Sequence, residues 1–283
     1  MDAYSIMSVV RSYSGLDTET ELGTPQLRRL MNLGMQRVAQ LLMPLYHEFL
    51  IKTQPYSGVS GASVDVPADL LRILDIERED ANGTMRLTTE VPAEDKGQVN
   101  KNVNFMAADE YPLHVHEGRS LLIWPTLATT DVNVRYRKRI IDLVQGPMTY
   151  GSATTVTLSA DAIPEDDYYN GYDLTLYQDD SDGVVLIGTY KITDYVGSTK
   201  LATLSGSSLT DVTMMGGLVP LIPAEYHETI VEATIANLKR IPKYAEKIGG
   251  SSWVDDLAAM KANISDLVAV NTGMWPKRVG EVK

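Results

Sequence analysis

The spacing of apolar residues changes period twice along this chain, and those two changes restrict the fold more than any single motif. From Leu27 onward, Leu30, Met31, Gly34, Val38, Leu41, Leu42, Leu45 and Phe49 recur every three to four residues, the signature of one helix face. Thr24-Pro25 starts that helix, with Thr as N-cap and Pro at the first helical position. The pattern predicts a helix reaching about Lys52 with a kink at Pro44. A short helix over 4–13, closed at Gly15, is expected before it.

After Gln54-Pro55 the period falls to two. Ser63–Val66 reads as a strand, Leu71–Glu77 alternates as "LRILDIE", and Asn82-Gly83 is a hairpin signal. Leu113–His116, Ser120–Trp124 and Val132–Arg139 are further expected strands. Gly146–Gly151 reads as a hinge. Four strand-like runs follow, "TTVTLSA", "GYDLTLYQ", "GVVLIGTYKITDY" and "TKLATLSG", and Gly216-Gly217 closes them. From Pro223 the helical period returns through Tyr226, Ile230, Thr234, Leu238 and Ile241, and again through Trp253, Leu257, Met260, Ile264 and Leu267/Val268 to a stop at Gly273.

Each terminal helical region has one apolar stripe that it cannot bury alone. The expected fold class is therefore α+β: a helical bundle from the N- and C-terminal helices, an antiparallel β region, and an inserted small all-β module. The segments are 1–54, 55–145, 146–220 and 221–283, the last ending in a short basic tail.

The 283 residues are 44% hydrophobic and 22% charged, a globular composition. No apolar run is long enough to span a bilayer, and the N-terminus has no signal-peptide pattern. There is no cysteine, which excludes disulfides and thiolate chemistry and fits assembly in a reducing cytoplasm. The net charge of -12 argues against gripping nucleic acid. It is unevenly spread: residues 146–220 hold ten acids and two bases, while residues 221–283 hold eight of each.

Candidate chemistry is sparse. The histidines are His47, His114, His116 and His227, and only His114 and His116 share a strand face; a third metal ligand at recognisable spacing is missing. No nucleotide or nucleophile-elbow motif occurs. Asp179-Asp180-Ser181-Asp182-Gly183 lacks the spacing of a calcium loop and reads as an acidic turn. Asp166 and Asp167 are adjacent, so on a strand they point to opposite faces and make a poor glycosidase pair. The tyrosines of "DDYYNGYDLTLYQ" read as half-buried, with rings packed and hydroxyls wet. The basic run Arg135–Arg139 has the charge to meet a phosphate backbone, but in a chain this acidic it reads rather as a salt-bridged rim or a subunit interface.

One stretch resembles a known module. "TTVTLSA…DDYYNGYDLTLY…GTYKITDYVGSTKLATL" resembles a β-module of tailed-phage structural proteins, marked by Asp167, Tyr168, Tyr169, Asn170 and Gly171 at a turn and by Asp194 and Tyr195 near the end. The frame, "LRRLMNLGMQRVAQLL", "VDVPADLLRILDIE", "LLIWPT…VNVRYRKR" and "LIPAEYHETIVEATIANL", is similar to head-to-tail connector adaptors that sit under the phage portal. The resemblance implies a non-enzymatic virion protein, made in the host cytoplasm, that needs no cofactor or metal and no membrane. It implies a ring, a dodecamer, bound to the portal and to tail or nozzle proteins, with double-stranded DNA passing through without sequence-specific contact. It also implies that the tail from Asn271 docks on the portal, with Trp275 as anchor and Lys277 and Arg278 as charge partners. The alternatives left by the residues are a carbohydrate-binding accessory protein and another neck component, a stopper or terminator.

Overall fold

The computed structural model describes residues 1–16, 22–44, 48–61, 63–67, 69–126, 129–180, 183–210 and 212–272. In chain order its elements are α1 (Ala3–Ser14), α2 (Thr24–Leu42), β1 (Ile51–Val59), β2 (Ser63–Asp65), β3 (Leu70–Glu79), β4 (Met85–Leu87), β5 (Thr89–Glu90), β6 (Leu113–Glu117), β7 (Ser120–Trp124) and β8 (Thr130–Lys138). Then come β9 (Gln145–Ser152), β10 (Thr155–Thr157), β11 (Asp173–Asp180), β12 (Gly183–Val196), β13 (Leu201–Leu204), β14 (Met214–Leu218), α3 (His227–Lys239), α4 (Pro242–Ile248) and α5 (Trp253–Thr272). The class is α+β and rich in sheet. The chain divides into two compact units, Met1–Phe49 with Ile140–Lys283, and Leu50–Arg139.

Local chemistry sets the helix ends. The Asp2 carboxylate accepts from the Tyr4 and Ser5 amides at the start of α1, and Gly15, at φ 63°, closes it in the left-handed region. In α2 the N-cap is Gly23 and not Thr24, with Pro25 inside the first turn. The helix does not reach Lys52 through a kink. It stops at Leu42, because Pro44 has no N–H to continue the ladder, and by Ile51 the chain is already a strand.

In the first unit, six strands close into a barrel in the order β10-β13-β12-β11-β14-β9, with every pairing antiparallel. Gly146–Gly151, expected as a hinge, lies inside β9, and Gly216-Gly217, expected as a terminus, lies inside β14. α2 crosses α3 closely at Gly34, where a Cβ would stand 2.8 Å from Thr234 Oγ1. Asn237 fastens the crossing: its Nδ2 donates to Leu30 O at 3.3 Å, and its Oδ1 accepts from Arg37 at 2.9 Å. The helices from the two chain ends do not enclose a core of their own. Ile6, Met31, Val38, Ile230 and Ile264 belong to one continuous apolar cluster with Val156, Leu174, Leu176 and Leu204 of the barrel.

In the second unit there are two four-stranded sheets, β1-β8-β3-β4 and β2-β7-β6-β5. Among the described residues only the β5–β6 pair is parallel. The strands expected at 63–66, 71–77, 113–116, 120–124 and 132–139 are present within a few residues, and the Asn82-Gly83 turn joins β3 to β4. One core gathers Val64, Ile76, Leu121, Ile123, Val132, Val134 and Tyr136; a smaller one gathers Val91, Leu113 and Val115.

Candidate functional site

The tyrosine-rich motif forms a plug at one end of the barrel. Asp167 adopts φ 62°, and Asn170 turns back on it twice, through its amide to Asp167 O (3.0 Å) and through Nδ2 to Asp167 Oδ1 (2.7 Å). Gly171, at φ 81°, can take the left-handed geometry that lets its N–H reach Ile192 O at 2.8 Å. The chain thereby enters β11 in register with β12.

Tyr169 is fully buried, and its ring meets Tyr168 and Tyr195 edge-on, with centroids 5.0 and 4.9 Å apart. The two buried hydroxyls hold opposite sides of one residue: Tyr169 accepts from Ile163 N at 3.1 Å, and Tyr195 donates to Ile163 O at 2.8 Å. Tyr168 and Tyr172 are buried too. The expectation of half-buried rings with wet hydroxyls is therefore corrected for this group; an aromatic cluster fills the end of the barrel because a six-stranded interior must be filled by side chains.

Burial pushes the Tyr195 phenol up to about 12, with the Asp166 charge adding to it, and burial likewise raises Tyr169. Both remain protonated near neutral pH. Asp166 Oδ1 accepts from Gly197 N at 2.7 Å, so both carboxylates expected in this motif are occupied in holding local backbone or the turn. Asp194 is exposed on β12, opposite Thr203. The arrangement fixes a turn and seals a barrel.

The other end of β11 is tied to α1. Tyr177 donates to Asp2 Oδ2 at 2.6 Å, and its ring lies 5.2 Å from that of Tyr4. Burial and the hydrogen bond to Asp2 push the Tyr177 phenol up to about 12. Asp2, unremarked in the sequence, thus joins a helix cap to a strand.

In the second unit, His114 and His116 do lie on β6, at alternate positions. Thr88 donates to Ile76 O, so its Oγ1 accepts from His114 Nδ1 at 2.7 Å and fixes the tautomer. Burial lowers the His114 pKa, and nearby His116 lowers it further, against the opposing charge of Glu90. Both histidines line a groove of about 440 Å³ with Leu70–Asp75, Thr88 and Glu90. Among the described residues no group of three metal-ligating side chains occurs. His47 lies outside the described residues.

The basic run is split by the strand. Tyr136 faces the core and donates to Asp69 at 2.6 Å, while Arg135 pairs with Asp75 at 3.3 Å. Arg137 stands directly opposite Arg72 in the ladder, and among the described residues neither has an acidic partner. Sequence reading missed Arg78, which is 0% exposed and paired with Asp109 at 3.2 Å. Its alternation with Ile76 and Asp80 gave no sign that an arginine would face inward. Trp275, Lys277 and Arg278 lie outside the described residues.

Comparison with curated proteins gives no match. A family model, SU10 adaptor protein, matches residues 1–183, from α1 through the second unit and β11 to the first residue of β12. That span is well over half of the 283 residues, and the chain belongs to the SU10 adaptor protein family.

Proposed function

We propose that this chain is a phage structural adaptor of the head-to-tail connector, a virion component that works by assembly and not by covalent chemistry. The observation that carries the reading is the family match over residues 1–183. In this reading copies form a ring, a dodecamer, seated on the portal above tail or nozzle proteins. The helices of both chain ends, which share their core with the barrel, lie side by side around the ring and against the portal.

Charge supports the passage of DNA. A conduit works only if the polyanion slides, and every neutralised phosphate would add affinity and drag. A chain at -12 repels the duplex and lets it pass. The tail from Asn271 docks on the portal, Trp275 filling an apolar pocket and Lys277 and Arg278 meeting carboxylates. Assembly takes place in the host cytoplasm, which the absence of cysteine fits. Among the described residues no helix is long and apolar enough to cross a membrane.

Negative-stain electron microscopy of the protein, alone and mixed with its phage's portal, tests this. Rings stacked coaxially on portals are expected. Bare portals beside free monomers would overturn the reading and favour a different neck component. Deleting residues 271–283 separates the tail from the ring: undiminished docking would remove the tail's role and leave the ring intact.

A further inference from the structure

α3 and α5 run antiparallel: Lys239, at the end of α3, donates to Asp256 Oδ2, near the start of α5, at 2.8 Å. The end of α5 therefore lies beside the start of α3. Between these two ends runs a groove of about 340 Å³. Its walls carry Glu225, Glu228 and Glu232 from α3 and the turn before it, and Asn263 and Asp266 from α5. Asp256 has its lysine, but among the described residues neither Glu228, Glu232 nor Asp266 pairs with a lysine or arginine. Partial burial, then the charges of Glu228 and Asp256, raise the Glu232 carboxyl above its usual range. The acids of this groove oppose one another.

A cluster of carboxylates alone names no occupant, but here the chain continues from the groove's own wall. α5 ends at Thr272, and the sequence goes on as "GMWPKRVGEVK", with Lys277, Arg278 and Lys283 against a single acid, Glu281. Asp266 lies six residues before Thr272, about 9 Å back along the helix. The five residues from Gly273 to Lys277 span up to about 17 Å when extended. Glycine is also the residue type that most readily lets a chain reverse after a helix. The bases are thus tethered within reach of the acids, at an effective concentration on the order of millimolar.

We propose that residues 273–283 fold back into this groove of their own chain, with Lys277 and Arg278 against Glu228, Glu232 and Asp266. The bases relieve the repulsion among the acids, and the tether makes the contact intramolecular. The docking needs only charge and tether; its use in assembly rests on the adaptor reading above. That reading gives the same two bases to carboxylates of the portal, and they cannot meet both sets at once. The groove therefore holds the tail in the free protein, and the portal must displace it. The contact is an autoinhibitory strap that keeps the docking peptide covered until its partner is present.

The absence of cysteine makes the test direct. Asn263→Cys, at an exposed position on the groove wall, is combined with Val279→Cys, next to Arg278, in the full chain. The protein is oxidised at low concentration, and a disulfide within one chain is expected. Ala258→Cys, exposed on the same helix about 140° round from Asn263, replaces Asn263→Cys in the control. The control should link about tenfold more slowly, because a docked tail faces one side of α5. Glu228→Gln, Glu232→Gln and Asp266→Asn together, or molar salt, should slow the groove link about tenfold. The triple variant should melt no lower than its parent, since it removes repulsion. Equal rates at 263 and 258, or a rate indifferent to charge and salt, would overturn the proposal. Links formed only between chains would overturn it in favour of exchange between copies. Portal added before oxidation should suppress the groove link. A link that persists on portal-bound rings would remove the tail's release from assembly. Rings on portals with no groove link in the free protein would overturn the docking and leave the adaptor reading standing.

Discussion

The two units solve the problem of a sheet's edges differently. The barrel of the first unit joins β10 to β9 and so removes most of its edges, and its interior is continuous with the apolar faces of α1, α2, α3 and α5. The second unit leaves both sheets open and divides its apolar residues between two small clusters. It even admits a charge, Arg78, to its interior. Closure gives one deep core that tolerates no loss. Open sheets give shallow cores and free edges, which suit a part that must meet neighbours. The contrast can be broken at named residues.

The largest effect is expected in the barrel plug. Tyr169→Ala removes a fully buried ring between Tyr168 and Tyr195 and leaves Ile163 N without its acceptor. The cost should be about 3–5 kcal/mol. Hydrogen exchange followed by mass spectrometry should show Ile140–Thr272 losing protection while Leu50–Arg139 keeps it. Equal loss in both units would mean that they unfold as one body.

Next comes the buried charge. Asp109 is 37% exposed and Arg78 is not exposed at all. Asp109→Ala therefore strands a buried guanidinium, at a cost of about 3 kcal/mol confined to Leu50–Arg139. Arg78→Met should be far milder, since Asp109 can turn to water. If the two substitutions cost the same, Arg78 is held by packing and not by its ion pair.

Legibility from sequence follows the same contrast. The second unit's strands were readable because alternation, as in "LRILDIE", reports directly on a sheet with two unlike faces. The Asn170-Gly171 turn was readable from its chemistry. β9 and β14 were not, because glycine and proline signal breaks in sequence, whereas here glycine serves close approach. A Cβ on Gly216 would stand 2.8 Å from Met148 Sδ, and one on Gly217 only 2.7 Å from Tyr4 N. Those neighbours lie about 70 and 210 residues away in sequence, so no local window contains them. The burial of Tyr169 and the acidic groove between α3 and α5 are likewise non-local. Tyrosine suits either side of a sheet, and a groove exists only where two separate segments meet.

A smaller effect should appear with pH. Burial holds the folded His114 pKa below its ordinary value, so the folded state refuses a proton that the unfolded chain accepts. The stability contributed by keeping His114 neutral is therefore complete above the unfolded pKa, about 6.5. It is lost as pH falls from there toward the folded value. Urea titrations at pH 7.5 and 5.5 should show the second unit weakening with acid. His114→Gln, which cannot titrate, should flatten that dependence. A slope unchanged by His114→Gln would assign the effect to other groups.

The smallest effect is expected at Arg28 and Asp161, an ion pair between α2 and the segment that follows β10. The Arg28 hydrogen bond holds the Asp161 carboxyl below the usual range, against some burial. A depressed carboxylate stabilises the fold above its unfolded pKa and loses that contribution as pH falls through the folded value. Asp161 is 53% exposed, however, and water and salt screen most of the attraction. Asp161→Ala should cost less than about 1 kcal/mol, and the difference should disappear in molar salt. A loss comparable to that of Tyr169→Ala would mean that the surface of the first unit, and not its closed core, holds α2 to the barrel.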